Sequence, residues 1–252
     1  GVALPLPEAP LLQQLQATAA RRGDAPALRD DSGSLSYAQM FCAAETLAQS
    51  LRAAGLGAGG CVALQLPRGN DLVVGFLACW LAGGNGFVLD DTLPDQRRQM
   101  LLDMARPDLL LRPGMALDAL PENRGHNCNP QRAYLVFTSG STGLPKGVEV
   151  SHDNLANLCH IHGQLFDLGS DSHGAALSHA AFDAYIAEVF PVLLAGGRVV
   201  TLPDETRNNL TGLAAALAAD DITHCCLSTG LFEAALALRI TWPDSLRTLL
   251  TG

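Results

Sequence analysis

The hydrophobic and polar positions of the chain follow two alternating patterns. Segments such as YAQMFCAAETLAQSLRAAG (37–55) repeat apolar residues three and four positions apart and end on a glycine, which is typical of amphipathic helices. Short continuous apolar runs such as CVALQL (61–66) and AYLVF (133–137) lie between such segments and are typical of strands buried on both faces. Because helices and apolar strands alternate along the chain, the pattern predicts an α/β fold of mainly parallel sheets flanked by helices.

Three further helices are predicted in segments that bear on function. They cover NDLVVGFLACWLAGG (70–84), with Asn70 as its N-cap, SHDNLANLCHIHG (151–163) and FDAYIAEVFPVLLAGG (182–197). The most apolar stretch of the chain, residues 72–89, is interrupted by Gly83, Gly84, Asn85 and Gly86. It therefore predicts a buried helix followed by a strand rather than a membrane span.

Composition and charge narrow the functional classes. The 252 residues carry a formal net charge of −9, and no basic cluster exceeds the pairs Arg21–Arg22 and Arg97–Arg98, so a nucleic-acid partner is not expected. The seven cysteines contain no CxxC pair, and the N-terminus lacks the basic and long apolar regions of a signal peptide. These features predict a cytoplasmic protein in a reducing environment, with no membrane partner.

The segment TSGSTGLPKGV (138–148) is the strongest chemical signal. It combines four hydroxyls and three glycines with Lys146, the single lysine of the chain. Glycines let backbone N–H groups approach an anion, hydroxyls add donors and a lysine adds charge, as a polyphosphate requires. A surface loop is the alternative. The P-loop pattern GxxxxGK[ST] does not fit, because Pro145 and Gly147 flank the lysine and a strand, not a helix, is predicted to follow.

The longer stretch YLVFTSGSTGLPKGVEVSH (134–152) resembles the phosphate-loop signature of the adenylate-forming enzymes, which include acyl- and aryl-CoA synthetases, luciferase and the adenylation domains of nonribosomal peptide synthetases. LSYAQM (35–40) and WLAGGNGFVLDDTLPDQR (80–97) resemble two further motifs of this family, although the second lacks both prolines of the usual Pro-Leu-Asp-Pro. The resemblance implies that residues 1–252 are the N-terminal portion of an adenylation-domain core. The rest of the core and the small C-terminal domain would lie beyond Gly252.

A second segment, AAFDAYIAEVFPVLLAGGRVV (180–200), resembles the Phe-Asp motif of the peptide-synthetase branch, although Tyr185 replaces its usual serine or threonine. The resemblance implies that Asp183 pairs with the α-ammonium group of an amino-acid substrate, because a buried ammonium needs a counter-ion. Capping of the following helix is the alternative role of this aspartate.

By the same matching, the substrate side chain is expected to contact small or apolar residues, namely Ala184, Ala187, Cys226, Leu250 and Gly252. Because Ala184 and Ala187 leave volume in the pocket, they favour a bulky, neutral, hydrophobic or aromatic α-amino acid.

The resemblance also implies the nucleotide site and the reaction. The β- and γ-phosphates of Mg-ATP would be held by the glycines, hydroxyls and lysine of the loop, namely Thr138, Ser139, Gly140, Ser141, Thr142, Gly143, Lys146 and Gly147. The amino-acid carboxylate would attack the α-phosphate, giving aminoacyl-AMP and pyrophosphate, and the acyl group would then pass to the phosphopantetheine thiol of a carrier domain. Carrier and condensation domains of the same assembly line, and an MbtH-like protein, are the implied partners.

No catalytic residue and no metal ligand are assigned within the chain. The family's catalytic lysine belongs to the C-terminal domain, so the chain alone is expected to be incomplete and inactive. His160 and His162 have a spacing that could bind a metal in a strand, but in the predicted helix they face apart. Two alternatives stay open, namely a ligase of the acyl- or aryl-CoA synthetase type and a non-catalytic, truncated adenylation fold used for binding.

Overall fold

The computed structural model of the protein describes residues 9–123, 125–139 and 144–251. Helices and strands alternate along these residues. The helices are α1 (Leu11–Arg22), α2 (Tyr37–Ala53), α3 (Asn70–Leu81), α4 (Asp95–Ala105), α5 (His152–Leu165), α6 (Asp183–Ala195), α7 (Asp204–Arg207), α8 (Leu210–Ala219) and α9 (Thr229–Ala237). The strands are β1 (Pro26–Asp30), β2 (Gly33–Ser36), β3 (Cys61–Leu64), β4 (Asn85–Val88), β5 (Leu109–Arg112), β6 (Ala116–Ala119), β7 (Arg132–Ser139), β8 (Pro145–Ser151), β9 (His173–Ala176), β10 (Arg198–Thr201), β11 (His224–Leu227) and β12 (Thr248–Thr251).

The strands form two six-stranded sheets. The first has the order β6-β5-β3-β4-β7-β8 and the second the order β12-β11-β9-β10-β1-β2. Pairing is parallel except for β5 with β6, β7 with β8 and β1 with β2, each an antiparallel pair that ends at a sheet edge. The predicted α/β fold of mainly parallel sheets flanked by helices is therefore confirmed.

One apolar cluster extends across helices that belong to both sheets. Phe190 of α6 contacts Phe76 and Trp80 of α3, with ring centroids 6.3 and 4.7 Å apart. The buried hydroxyl of Tyr37, on α2, lies 2.9 Å from the carbonyl oxygen of Leu193 and 2.7 Å from that of Gly197. This packing fixes α6, which carries part of the candidate site, against the helices of the first sheet.

The predicted capping role of Asn70 is wrong. The N-cap of α3 is Gly69, with φ of 145°, and Asn70 is the first helical residue. The carboxylate of Asp30 accepts the backbone N–H of Asn70 at 2.7 Å, while the Asn70 amide donates to Asp30 at 3.0 Å and to the Gly33 carbonyl at 3.1 Å. Asp30 thus supplies from the end of β1 the acceptor that a capping side chain would normally provide. Among the described residues, no helix is long and apolar enough to cross a membrane.

Candidate functional site

The loop that carries the lysine connects the two strands of the β7–β8 hairpin at the edge of the first sheet. In this hairpin Thr138 lies opposite Lys146, and Ser139 lies opposite Pro145. The side chains of Thr138 and Lys146 are exposed, and among the described residues none forms an ion pair with Lys146. A hydroxyl and an uncompensated ammonium therefore stand side by side at the end of the hairpin, where an anion could bind both.

Four of the predicted phosphate-binding residues, Gly140, Ser141, Thr142 and Gly143, lie outside the described residues. Gly147 is among the described residues, and close packing explains why this position is a glycine. A Cβ built there would lie 3.3 Å from side-chain atoms of both Leu135 and Phe137. The absence of a side chain at Gly147 thus lets β8 lie close against β7.

The base of the hairpin is held by a buried arginine. The Arg132 guanidinium donates to Asn85 at 2.8 Å, to the side chain and carbonyl of Asn127 at 2.9 and 2.7 Å, and to Glu149 of β8 at 2.7 Å. The Arg132 side chain is fully buried, and these acceptors satisfy its charge. The network connects both hairpin strands to β4, so the lysine-bearing end projects from a fixed base.

Asp183 is the first residue of α6, after the N-cap Phe182, and no side chain caps this helix by a hydrogen bond. The capping role considered from the sequence is thus absent, although an acidic group in a first helical turn is still favoured by the helix dipole. The Asp183 carboxylate is exposed and borders a cavity of about 300 Å³ between α5 and α6.

Tyr134 and Asn154 line the same cavity as Asp183. Burial, with a smaller contribution from the Asp183 charge, raises the pKa of Tyr134 to about 12. The phenol therefore stays protonated at neutral pH and remains a hydrogen-bond donor beside the carboxylate.

A second cavity contains four of the five predicted side-chain contacts. Ala184, Ala187, Cys226 and Leu250 all line it, and Cys226 lies opposite Leu250 in the parallel pairing of β11 with β12. Gly252 lies outside the described residues. Asp183 does not border this cavity, which shares only Ala184 and Ala187 with the cavity beside α5.

The second cavity is bounded partly by side chains that were not assigned to it from the sequence. Its volume within the described residues is about 100 Å³, and it lies beside the two alanines, Ala184 and Ala187. The space beside them is bounded by the rings of His162 and Phe166 and by His224, none of which was assigned to the pocket from the sequence. The sequence did contain a signal for the proximity of two of these rings. His162 and Phe166 are four positions apart and therefore lie on one face at the end of the helix.

Glu188 lies beside the same cavity and is buried. Its carboxylate accepts the backbone N–H groups of Leu177 and Ser178 at 2.8 and 2.9 Å and the Ser178 hydroxyl at 2.6 Å. Burial raises the pKa of Glu188 to about 7, against the opposing effect of these hydrogen bonds. The contacts fix the turn between β9 and α6, just before Asp183.

His179 connects the two sheets at the carboxyl ends of their strands. Its Nε2 lies 3.1 Å from a carboxylate oxygen of Asp90, which follows β4, whereas His179 follows β9. Cavities of about 380 and 370 Å³ lie on either side of this pair, and both residues line each of them. His152 instead packs against Trp80 at 5.9 Å, and burial lowers the pKa of its imidazole.

The part of the chain that the structure describes contains no group of three or more His, Cys, Asp or Glu residues that could hold a metal ion. His160 interacts with Gln164 on α5 at 3.0 Å, whereas His162 borders the second cavity. The two histidines therefore face apart, as expected for a helix.

Comparison with known proteins agrees with this architecture. The chain is 33% identical over 280 aligned positions to the isonitrile lipopeptide synthase of Streptomyces coeruleorubidus, an alignment that covers 100% of the chain and 19% of that protein. It is 30% identical to bacitracin synthase 1 of Bacillus licheniformis, over 95% of the chain and 5% of that protein. The chain thus spans less than a fifth of the length of these relatives.

Among solved structures, the chain resembles a four-domain nonribosomal peptide synthetase bound to AMP and glycine, with a TM-score of 0.83 and 25% identity over 97% of the chain and 19% of that protein. It also resembles a nonribosomal peptide synthetase protein containing adenylation and PCP domains, with a TM-score of 0.83 and 25% identity over 96% of the chain and 45% of that protein.

These similarities confirm the resemblance to adenylation domains of nonribosomal peptide synthetases that the sequence motifs indicated. The family model described as AMP-binding enzyme matches residues 15–132 and 118–252, which together include almost the whole chain. The chain belongs to the AMP-binding enzyme family.

Proposed function

We propose that the protein activates an α-amino acid with ATP, forming aminoacyl-AMP and releasing pyrophosphate. The observation that carries this proposal is the pairing of Thr138 with Lys146 at the exposed end of the β7–β8 hairpin. Family membership supports the nucleotide, and the similarity to a nonribosomal peptide synthetase bound to AMP and glycine supports the amino acid.

In the proposed reaction, a carboxylate oxygen of the amino acid attacks the α-phosphorus of ATP. The bond from that phosphorus to the bridging oxygen breaks, and pyrophosphate leaves with the bond's electron pair. Lys146 and Thr138 bind phosphate oxygens and hold the leaving group in position, which favours an in-line displacement. Mg²⁺ would accompany the phosphates and neutralise part of their charge.

Asp183 supplies the charge that this substrate class needs. An α-ammonium group placed beside its carboxylate forms an ion pair, and the Tyr134 hydroxyl and the Asn154 amide are further polar groups of the same cavity. A fatty or aryl acid has no ammonium group and gains nothing from this carboxylate. The amino-acid assignment is therefore preferred over the acyl- or aryl-CoA synthetase type.

Transfer of the activated acyl group to a phosphopantetheine thiol, on a carrier domain of the same assembly line, is the proposed next step. One solved relative combines adenylation and PCP domains, and a condensation domain and an MbtH-like protein are proposed as further partners. Because all seven cysteines are free thiols, as is usual in reducing compartments, the proposed location is the cytoplasm.

Amino-acid-dependent exchange of labelled pyrophosphate into ATP tests the proposal in the full-length protein that contains this chain. Exchange that requires an α-amino acid supports it. Exchange with fatty or aryl acids alone would move the protein to the acyl-CoA synthetase type. Binding of an amino acid without any exchange would instead indicate the non-catalytic alternative.

A further inference from the structure

The helix that carries Asp183 begins without a side-chain cap. Phe182 is the N-cap of α6, and within the described part of the chain no side chain accepts a hydrogen bond from its first turn. The first N–H groups of a helix have no partner inside the helix, so the position of Asp183 depends on how the preceding residues are held. These residues, 177–182, connect β9 to α6 and form the entry segment of the helix.

Glu188, in the second turn of α6, holds the beginning of the entry segment. Its Oε2 accepts the backbone N–H groups of Leu177 and Ser178 at 2.8 and 2.9 Å, and its Oε1 accepts the Ser178 hydroxyl at 2.6 Å. Glu188 is only 9% exposed, and hydrogen bonds to a carboxylate are strong in such a low-dielectric environment. The side chain thus ties the entry segment to the helix that follows it.

Two arginines hold the same stretch of backbone by its carbonyl groups. Arg68, in the loop after β3, donates to the carbonyl oxygen of Ala176 at 2.8 Å, and Arg207 of α7 donates to that of Leu177 at 2.9 Å. The carbonyl groups are therefore held from other elements, whereas the N–H groups are held by Glu188. Of these three side chains, only that of Glu188 belongs to the helix that carries the binding carboxylate.

We infer that Glu188 is a positioning residue for amino-acid binding, because its hydrogen bonds to the entry segment place the Asp183 carboxylate where it meets the substrate ammonium group. This inference rests on the proposed amino-acid activation and adds to it a residue that acts through Asp183. Glu188 acts by hydrogen bonding rather than by its charge, since donors of the protein occupy both of its oxygens.

The test is pyrophosphate exchange by the full-length protein with two substrates. One is the proteinogenic amino acid that gives the highest kcat/KM, and the other is its desamino analogue, which lacks the ammonium group that Asp183 would bind. Misplacement of a binding group by about 1 Å can cost about 100-fold in activity, so Glu188→Ala should lower kcat/KM for the amino acid by roughly 10- to 100-fold. The kcat/KM for the desamino analogue and the KM for ATP should stay nearly constant.

Two conservative variants separate the hydrogen bonds of Glu188 from its charge. In Glu188→Gln the amide oxygen can accept both N–H groups and the amide nitrogen can donate to the Ser178 hydroxyl, so this variant should keep most of the preference for the amino acid. Glu188→Asp keeps the charge but is too short to reach both N–H groups, so it should lose the preference. The opposite order would overturn the inference, because the charge itself would then attract the ammonium group.

A double-variant cycle with Asp183→Ala tests whether Glu188 acts through Asp183. Residues that act together give non-additive effects. Once Asp183 is replaced by alanine, adding Glu188→Ala should lower kcat/KM for the amino acid little further. Additive losses would show that Glu188 supports only the general stability of the fold, and they would overturn the inference.

Asp108 provides a matched control, because it is another buried carboxylate that accepts two backbone N–H groups. Its oxygens accept from Cys61 and Gly125, both at 2.8 Å, in the first sheet. Asp108→Ala should destabilise the protein, which thermal unfolding measures, without changing the ratio of kcat/KM between the amino acid and its desamino analogue. An equal fall of this ratio in the Asp108 and Glu188 variants would overturn the inference.

If Glu188→Ala fails to fold, Glu188→Asp takes its place in the exchange assay and in the cycle. An unchanged ratio of kcat/KM between the two substrates in folded Glu188→Asp would then overturn the inference. Failure of the proposed function looks different, because in that case no amino acid supports exchange in the wild type.

Discussion

At the scale of single residues, Lys146 makes the most direct prediction. In the full-length protein, Lys146→Ala removes a charged contact to a phosphate, which is typically worth about 1.5–3 kcal/mol. The KM for ATP in pyrophosphate exchange should rise by roughly 10- to 100-fold, while the KM for the amino acid stays nearly constant. Lys146→Arg, which keeps the charge, is the control and should recover part of the loss. Wild-type ATP kinetics in Lys146→Ala would contradict the assignment of this residue to phosphate.

Substitution of Asp183 distinguishes an enzyme that activates an amino acid from one of the acyl- or aryl-CoA synthetase type. In the complex, the bound amino acid would cover the Asp183 carboxylate. Removing one partner of such a buried, hydrogen-bonded charge pair typically costs at least about 2 kcal/mol, so Asp183→Ala should lower kcat/KM for the amino acid by roughly 30-fold or more. ATP binding should be largely unaffected, because Asp183 lies at the start of α6 and not in the lysine-bearing end of the β7–β8 hairpin. The desamino acid should be used relatively better by the variant than by the wild type. If Asp183→Ala changes neither substrate, then the carboxylate is no more than a favourable charge at a helix start.

Glu188 predicts a pH dependence of stability. Its pKa is about 7 in the folded protein and 4.5 when unperturbed, so between these values the folded state holds a proton that the unfolded state has released. The free energy of unfolding should therefore fall as pH rises from about 4.5 to about 7, by at most about 3 kcal/mol. Because Glu188→Gln does not titrate, the difference in unfolding free energy between wild type and variant isolates this effect. A difference that is independent of pH from 4 to 8 would contradict it.

The sequence indicated which residues carry the chemistry of the site. It did not indicate which other side chains surround them. Lys146 stood out because it is the single lysine of the chain, and Asp183 stood out because its segment resembles the Phe-Asp motif. His162, Phe166 and His224 did not, since their proximity depends on where α5 ends relative to β11. Asn70 was wrongly assigned as a cap because Asp30, which accepts its backbone N–H from forty residues away, cannot be inferred from local sequence.

At the scale of elements, the long periodic helices were predictable and several short strands were not. The apolar period of α2, α3, α5 and α6 reveals each of them, whereas β1, β2, β6 and β9 are only four or five residues long. PALRD and GSLS mix polar and apolar residues, and HGAA is composed mostly of small residues. Such strands are stabilised by pairing with neighbours distant in sequence rather than by local preference.

The β7–β8 hairpin carries an element-scale prediction. Glu149 is the acidic partner of the fully buried Arg132 at the base of the hairpin. Hydrogen bonds to charged groups are worth about 1.5–3 kcal/mol, but Glu149 itself is 48% exposed. Solvent screening therefore reduces the expected loss for Glu149→Gln to about 1 kcal/mol in denaturant unfolding.

Glu45→Gln is the matched control for this substitution, because Glu45 is exposed on α2. It should change the free energy of unfolding by less than about 0.5 kcal/mol. If Arg132 positions the hairpin as well as stabilising it, then Glu149→Gln should also raise the KM for ATP in the full-length protein. Equal stability of the two variants would mean that the two asparagines alone satisfy Arg132.

At the scale of the whole molecule, the arrangement of the two sheets places the candidate groups together. Lys146 belongs to the first sheet, whereas Asp183, Cys226 and Leu250 are associated with the second. The alternation of elements predicted the class of fold but could not divide the strands between two sheets, because that division depends on pairings such as β1 with β10. The packing of α3 against α6 is what makes the site depend on both sheets at once.

This packing predicts that the two sheets unfold together. Phe190 is fully buried where α6 contacts α3, and Phe190→Ala should lower the free energy of unfolding by about 3–5 kcal/mol.

The two tryptophans of the chain are suitable probes, since Trp80 is buried beside Phe190 and Trp242 packs against the separate apolar cluster of the second sheet. In the 252-residue chain, the fluorescence midpoint of each single-tryptophan variant, Trp80→Phe or Trp242→Phe, should coincide with the circular dichroism midpoint of the same variant, as expected for one cooperative unit. Adding Phe190→Ala should lower both midpoints by the same amount, because the contact it removes stabilises both sheets. If the Trp242 signal keeps its midpoint while the Trp80 signal shifts, then the second sheet is an independent folding unit, and the shared cluster does not couple the two halves of the site.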